Sequence, residues 1–168
     1  MRIGKDYLSN EAHPYKGLIR PATYEDCLSL APNLRKEDKD EVWVSGRFLP
    51  EEALIECLRV TPNAKVGVVN GEVICMFGVT AALRVDTGIP WMLGSDGIKS
   101  ISKEFLRRNK EALDEVSVGY TWLNNYVWSK NTTHIRWLKW MGFTIEYKSM
   151  HVGHDQEIFY RFHKHLKE

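Results

Sequence analysis

Four of the six histidines fall in two closely spaced pairs, His151-x-x-His154 and His163-x-His165. Imidazoles so spaced on neighbouring strands could supply zinc ligands. No cysteine or carboxylate spacing completes either set, so both pairs read as exposed strand and tail histidines. His134 sits differently, in the first turn of a helix predicted over 131–141, where the helix dipole disfavours protonation. A neutral imidazole bonded to nearby backbone is expected. Asn131, opening the same helix, has a simple account as its N-cap, worth about 1 kcal/mol. A second helix start follows the turn Gly94-Ser95-Asp96-Gly97, where Ser95 or Asp96 serves as the cap. Lys99, Lys103, Arg107, Arg108 and Lys110 crowd the helix beyond, countered by Glu104, Glu111, Asp114 and Glu115. That face could touch an anion, and a solvated face is its default reading.

The elements that must hold these residues change period along the chain. Residues 1–17 are a polar lead-in. Leu18 to Thr23 reads as a strand running into a helix capped by Thr23 or Asp26, which Pro32 breaks. The charge-alternating run from Lys36 to Glu41 reads as a solvated helix face or turn. A helix over 50–58 has Pro50 in its first turn and Glu51 and Glu52 at the positive end of its dipole. Residues 64–69 and 72–80 form a hairpin about Asn70-Gly71. An apolar strand over 89–93 leads to an amphipathic helix marked by Ile98, Ile101, Phe105, Ala112 and Val116. A strand over 121–128, the 131–141 helix ending at Gly142, and strands over 144–152 and 156–162 about a turn at Gly153 complete the order. The strand–helix–strand step across 89–128 requires a parallel pair.

The 168 residues amount to about one domain, with lead-in 1–17 and domain 18–168. A chain of this size buries about 70% of its unfolded surface and needs no staple. Lys plus Arg number 23 and Asp plus Glu 22, a net charge of +1 that excludes a bulk polybasic binder and makes nucleic acid an unexpected primary ligand. Cys27, Cys57 and Cys75 form no C-x-x-C pair, which argues against a zinc knuckle or a disulfide framework and for a reducing compartment. The start carries no secretory signal and no run approaches 18 apolar residues, so no membrane association is expected.

The order of elements over 18–162 resembles the GNAT (general-control-related N-acetyltransferase) superfamily. Ile19-Arg20-Pro21-Ala22-Thr23 with Asp26 is similar to that superfamily's first strand and turn. The segment from Asn131 to Phe143 resembles its late helix, opened by Asn and closed by Gly-Phe. Within it, Asn125-Tyr126-Val127-Trp128, Asn131-Thr132, His134-Ile135-Arg136 and Leu138-Lys139 before Gly142 also resemble small internal virion proteins of short-tailed phages, as do Trp91 and Ser95-Asp96. The resemblance implies an α/β fold, a single GNAT-like domain with a mixed central sheet of about six to seven strands flanked by helices.

For the site, the resemblance implies acetyl-CoA as cofactor, with no metal. Met92, Leu93, Gly94, Gly97, Ile98, Lys99 and Asn131 are then the cofactor contacts: bare amides for pantetheine, oxyanion and pyrophosphate, with glycines allowing close approach. The turn lacks the family's leading Gln or Arg and its glycine spacing. Asp96 is expected to cap the same amides and, unless Lys99 or another cation offsets it, to repel a phosphate by about 4 kcal/mol at 4 Å, or roughly three powers of ten in affinity. Where many members carry a proton-donating Tyr, this sequence has Leu138, leaving Tyr126 or water to do that work.

The expected function is therefore that of a phage protein acting by contacts in virion assembly, the internal core or genome delivery. Its partners would be other phage virion proteins or a host protein, met through Trp137 and Trp140, in host cytoplasm or packaged in the particle. The alternatives are an active N-acetyltransferase modifying a protein or small amine, and a host-directed inhibitor.

Overall fold

The computed structural model describes residues 17–101 and 103–166, so the lead-in through residue 16 lies outside the described residues. Strand β1 (Gly17–Pro21) runs into α1 (Tyr24–Leu30) through a reciprocal cap. Thr23 N–H donates to the Asp26 carboxylate at 2.8 Å, and Asp26 N–H donates to the Thr23 hydroxyl at 3.3 Å. Both candidate residues thus form one capping box. Thr23→Ala should lower stability by about 1 kcal/mol, read from the urea midpoint at unchanged slope.

Pro32 ends α1 in a 3-10 turn, Ala31–Asn33, before α2 (Lys36–Gly46) and α3 (Pro50–Val60). Strands β2 (Lys65–Val69) and β3 (Glu72–Ala81) join at Asn70 (φ 51°) and Gly71 (φ 79°), the double positive φ of a tight hairpin. Strand β4 (Thr87–Gly94) follows, then a 3-10 turn, Asp96–Ser100, and α4 (Lys103–Val116). The continuous helix expected from Ile98 is therefore interrupted. Ile98 and Ile101, three apart, both pack on the cluster of Phe77, Met92 and Phe105, a spacing that a three-residue turn brings to one side. Strand β5 (Trp122–Trp128), α5 (Thr132–Trp140), β6 (Thr144–Val152) and β7 (Ile158–His165) complete the chain.

The seven strands form one sheet in the order β1-β2-β3-β4-β5-β7-β6. Its adjacent strands are antiparallel except β4 and β5, the parallel pair that the crossover demanded. Helices cover both faces. Leu30 and Leu54 of α1 and α3 pack with Val66 and Met76 on one face, while Phe105, Leu113 and Leu138 of α4 and α5 enter the clusters of the other. Strand β3, buried from Val73 to Val79, is correspondingly apolar on both sides.

The parallel pair is nearly open. Only Thr87↔Trp122 and Gly88↔Leu123 are in register, after which β4 and β5 part. Pro90 explains where. Ser95 N–H donates to the Ile74 carbonyl of β3, so alternation turns the edges of Gly94, Met92 and Pro90 away from β3 toward β5. Proline brings no N–H to that ladder. The Asn125 side chain reaches across instead, donating to the Pro90 carbonyl at 2.9 Å.

Candidate functional site

The gap between the parted strands is the candidate site, and helix α2 closes it from one side. The run expected to be a solvated helix face is helical, with Lys36 and Lys39 exposed, but its Asp38 is only 1% exposed, and Arg35, just before the run, is 0% exposed. Asp38 is saturated. Its Oδ1 accepts from Arg35 Nη2 at 2.7 Å and Asn131 Nδ2 at 2.9 Å; its Oδ2 accepts from Gly94 N–H at 2.9 Å and Arg35 Nε at 3.4 Å. Arg35 N–H also donates to the Gly94 carbonyl at 2.9 Å, so both edge groups of Gly94 are spoken for by α2 and its cap. One turn on, Glu41 Oε1 accepts from Trp128 N–H at 3.2 Å and from Asn131 Nδ2 at 3.0 Å. Three side chains thus bridge the end of β4 to the end of β5, where backbone pairing has stopped.

Asn131 takes the cap position expected of it, its Oδ1 accepting from His134 N–H at 3.3 Å. The same side chain, wholly buried, is the hub of the network. His134 is neutral, its pKa pushed down to about 4 by burial, with the Arg35 charge adding and Asp38 opposing. Among the described residues its Nδ1 has no partner, so the expected bond to backbone is not made there at that atom. Glu41 moves the other way, to about 8, through burial and then the adjacent Asp38 charge, against the bonds from Asn131 and Trp128.

On the α2 side the gap opens into a cavity of about 310 Å³ lined by Glu41, Trp91, Met92, Tyr126, His134 and His151, among others. On the α5 side it shrinks to about 20 Å³ against Trp137, Leu138 and Phe143. Leu138, 2% exposed, is a core residue there. Trp137 packs with it, its Nε1 buried without a partner among the described residues, so the expected pair of surface tryptophans reduces to Trp140, 45% exposed beneath Lys110. Helical spacing of three allows a shared face, but it does not force both rings out of the core.

The turn after β4 departs from the expectation for Asp96. Asp96 is exposed and paired with Lys99 at 3.1 Å, and Ser95 is the cap, accepting from Gly97 N–H at 3.1 Å. Ile98 N–H donates to the Ser95 carbonyl. A Cβ on Gly94 would meet the Ile98 side chain, and one on Gly97 would meet Ile74 at 2.8 Å. The missing side chains of both glycines are therefore filled by the chain's own isoleucines. The amides of Gly94, Gly97 and Ile98 all have internal acceptors, and α4 begins only at Lys103. This turn does not fit a pyrophosphate. Met92 and Leu93 are buried in β4, and only the Met92 edge among those two faces the gap.

The other candidates are structural or paired. Arg107 and Arg108 bond to Glu104 and Glu111 along α4. His163 bonds Glu146 at 2.6 Å and stacks on Trp122, while His151 lies against Tyr126 and Phe159. Among the described residues no group of three His, Cys, Asp or Glu could hold a metal. Burial pushes the cavity-lining Cys57 thiol up to about 12, so it supplies no thiolate nucleophile at neutral pH. No helix of the described residues is long and apolar enough to cross a membrane.

Residues 72–148 match the family model described as "Bacteriophage T7, probable scaffold protein Gp13". No curated protein matches the chain. Among solved structures, Ard1 from Thermoplasma volcanium is 16% identical, with 90% of this chain and 99% of that one covered at a TM-score of 0.66. The GNAT-family acetyltransferase from Streptococcus pneumoniae is 18% identical over 90% and 99%, TM-score 0.59. YncA from Salmonella typhimurium, solved with its cofactor acetyl-CoA, is 17% identical over 90% and 95%, TM-score 0.61. With the seven-stranded sheet parted between its parallel strands β4 and β5, these likenesses establish that this chain has the GNAT acetyltransferase fold, in a sequence whose central segment is similar to a phage scaffold-protein family.

Proposed function

We propose that this chain is a phage protein that uses the GNAT fold as a scaffold for protein contacts in virion assembly or the internal core, without acyl transfer. The observation that carries this reading is the Asp38 carboxylate on the Gly94 amide. A coenzyme laid along β4 toward the following turn would meet a buried, fully bonded acid at the end of the strand. Displacing it would leave Arg35, wholly buried, without its charge partner, at a cost of several kcal/mol. The family match over residues 72–148 supports the phage and assembly side of the reading.

Two measurements test it. Thermal-shift titration with acetyl-CoA should stay flat, whereas a ligand at 100 times its Kd would add about 2.7 kcal/mol of stability. Mass spectrometry of purified phage particles should find the chain. A saturable acetyl-CoA shift overturns the non-catalytic part, and absence from both particles and assembly intermediates overturns the assembly part.

A further inference from the structure

The cavity on the α2 side carries a carboxyl that the rest of the site bonds on one oxygen only. Among the described residues Arg35 is the one cation bonded within the network; its Nε and Nη2 go to Asp38, and its buried Nη1 reaches no acceptor, Glu41 included. Glu41 is a second acid in the same cluster, bonded only through Oε1; its Oε2 accepts nothing among the described residues. The remaining groups around it are neutral or aromatic. Tyr126 and His151 face one another with ring centroids 5.3 Å apart, and Trp91 and Phe159 also line the space. His134, 6% exposed, lines the cavity too, with Nδ1 unpartnered. A half-satisfied carboxyl at the wall of an aromatic cavity calls for a cation with several N–H donors and a flat face.

We propose that the cavity between β4 and β5 receives an arginine side chain presented by a partner protein. The inference rests on the protein-contact reading above and names what that contact recognises. The guanidinium would donate to Glu41 Oε2 while its plane lies on the aromatic wall formed by Tyr126 and His151. Guanidinium suits this place better than ammonium because it is planar, weakly hydrated and stacks on aromatic rings. A space of about 310 Å³ admits one such side chain.

The proton balance gives the interaction a signature. Glu41 faces Asp38 and Arg35 from α2, Asn131 and His134 from α5, the Trp128 amide of β5, and, across the cavity, Tyr126 and His151. Free, it holds its proton up to about pH 8. An arriving cation favours the carboxylate, so binding releases a proton, and affinity should rise about tenfold per pH unit from 6 to 8.

The test uses the intact chain and three blocked amino acids: N-acetyl-arginine methylamide, its lysine counterpart and its neutral citrulline isostere. In a nitrogen-15 NMR titration the arginine probe should give saturable shifts at Ser45, Asn125 and Tyr126, in about the millimolar range expected of one anchored side chain. Citrulline should bind at least tenfold more weakly, as should arginine to the Glu41→Gln variant. Tyr126→Ala, at an exposed residue, should weaken binding several-fold and serves as a second variant should Glu41→Gln not fold. Equal binding of citrulline, a flat pH profile, or no saturation up to about 50 mM overturns the inference. Lysine binding as well as arginine overturns the guanidinium assignment. A chain present in particles but silent to the arginine probe sinks this inference alone; an acetyl-CoA thermal shift sinks the non-catalytic reading alone.

Discussion

Replacing Asp38 with alanine should cost this protein about 3–5 kcal/mol, the range for breaking one partner out of a buried pair. The loss has three sources in one side chain. Arg35, wholly buried, keeps its charge but loses both its bonds to the carboxylate. Gly94 N–H and Asn131 Nδ2 each lose an acceptor in surroundings with little water to replace it. Helix α2 also loses its attachment to the end of β4. Urea unfolding should show the full drop, and the melting temperature should fall by about 10 °C or more for a chain of this length. Arg59→Ala is the control, because its partner Glu56 is exposed and such pairs contribute about 0–1 kcal/mol. A cost for Asp38→Ala no greater than the control's would mean that the network does not hold the gap together.

A second large effect is expected from pH. Glu41 is raised to about 8 in the fold, so the folded state binds a proton that the unfolded chain releases near 4.5. Its contribution is complete below 4.5 and is lost as pH rises toward 8, at about 1.4 kcal/mol per unit. His134 does the reverse. Lowered to about 4, it stays neutral in the fold while the unfolded imidazole takes a proton below 6.5, so its contribution is present above 6.5 and is lost as pH falls toward 4. The two slopes oppose between pH 4.5 and 6.5, giving a plateau. From 6.5 to 8 only Glu41 changes, and stability should decline by about 2 kcal/mol. In Glu41→Gln the plateau becomes a rise up to pH 6.5 and the later decline disappears. Urea midpoints at half-unit steps read both curves, and wild-type stability that climbs from pH 6.5 to 8 would contradict the account.

What could be read from the sequence was local. Asn70-Gly71 announces its hairpin because two adjacent residues must adopt positive φ, and the structure gives both. Thr23 and Asp26 announce α1, and Asn131 announces α5, because a cap acts within one turn. The parallel pair followed from connectivity alone. The site did not follow in this way. Lys36 to Glu41 has the composition of a solvated face, yet Asp38 is buried and Glu41 half-buried, and Asn131, 93 positions beyond Asp38, brings an amide to both. Nothing within α2 signals that partner. Trp137 was equally opaque, since whether it or Trp140 turns inward depends on the packing of α5 against the sheet. Pro90 did carry a legible signal: a proline edge turned toward β5 can end a ladder, and it marks where the gap begins.

The seam between β4 and β5 is closed by backbone at one end and by side chains at the other. Backbone rungs do not depend on side-chain identity, so Thr87 can drift without unfastening its end, although Gly88 is fixed for another reason, since a Cβ there would meet Val79 at 2.5 Å and Leu123 at 2.9 Å. The far end has no such tolerance. A descendant that replaces Asp38 must find a new acceptor for Gly94 and Asn131 together, and one that replaces Asn131 strands two acids at once. Positions 35, 38, 41 and 131 are therefore bound to a common inheritance, kept as a set or exchanged as a set, although Asn131 lies 90 positions beyond Glu41.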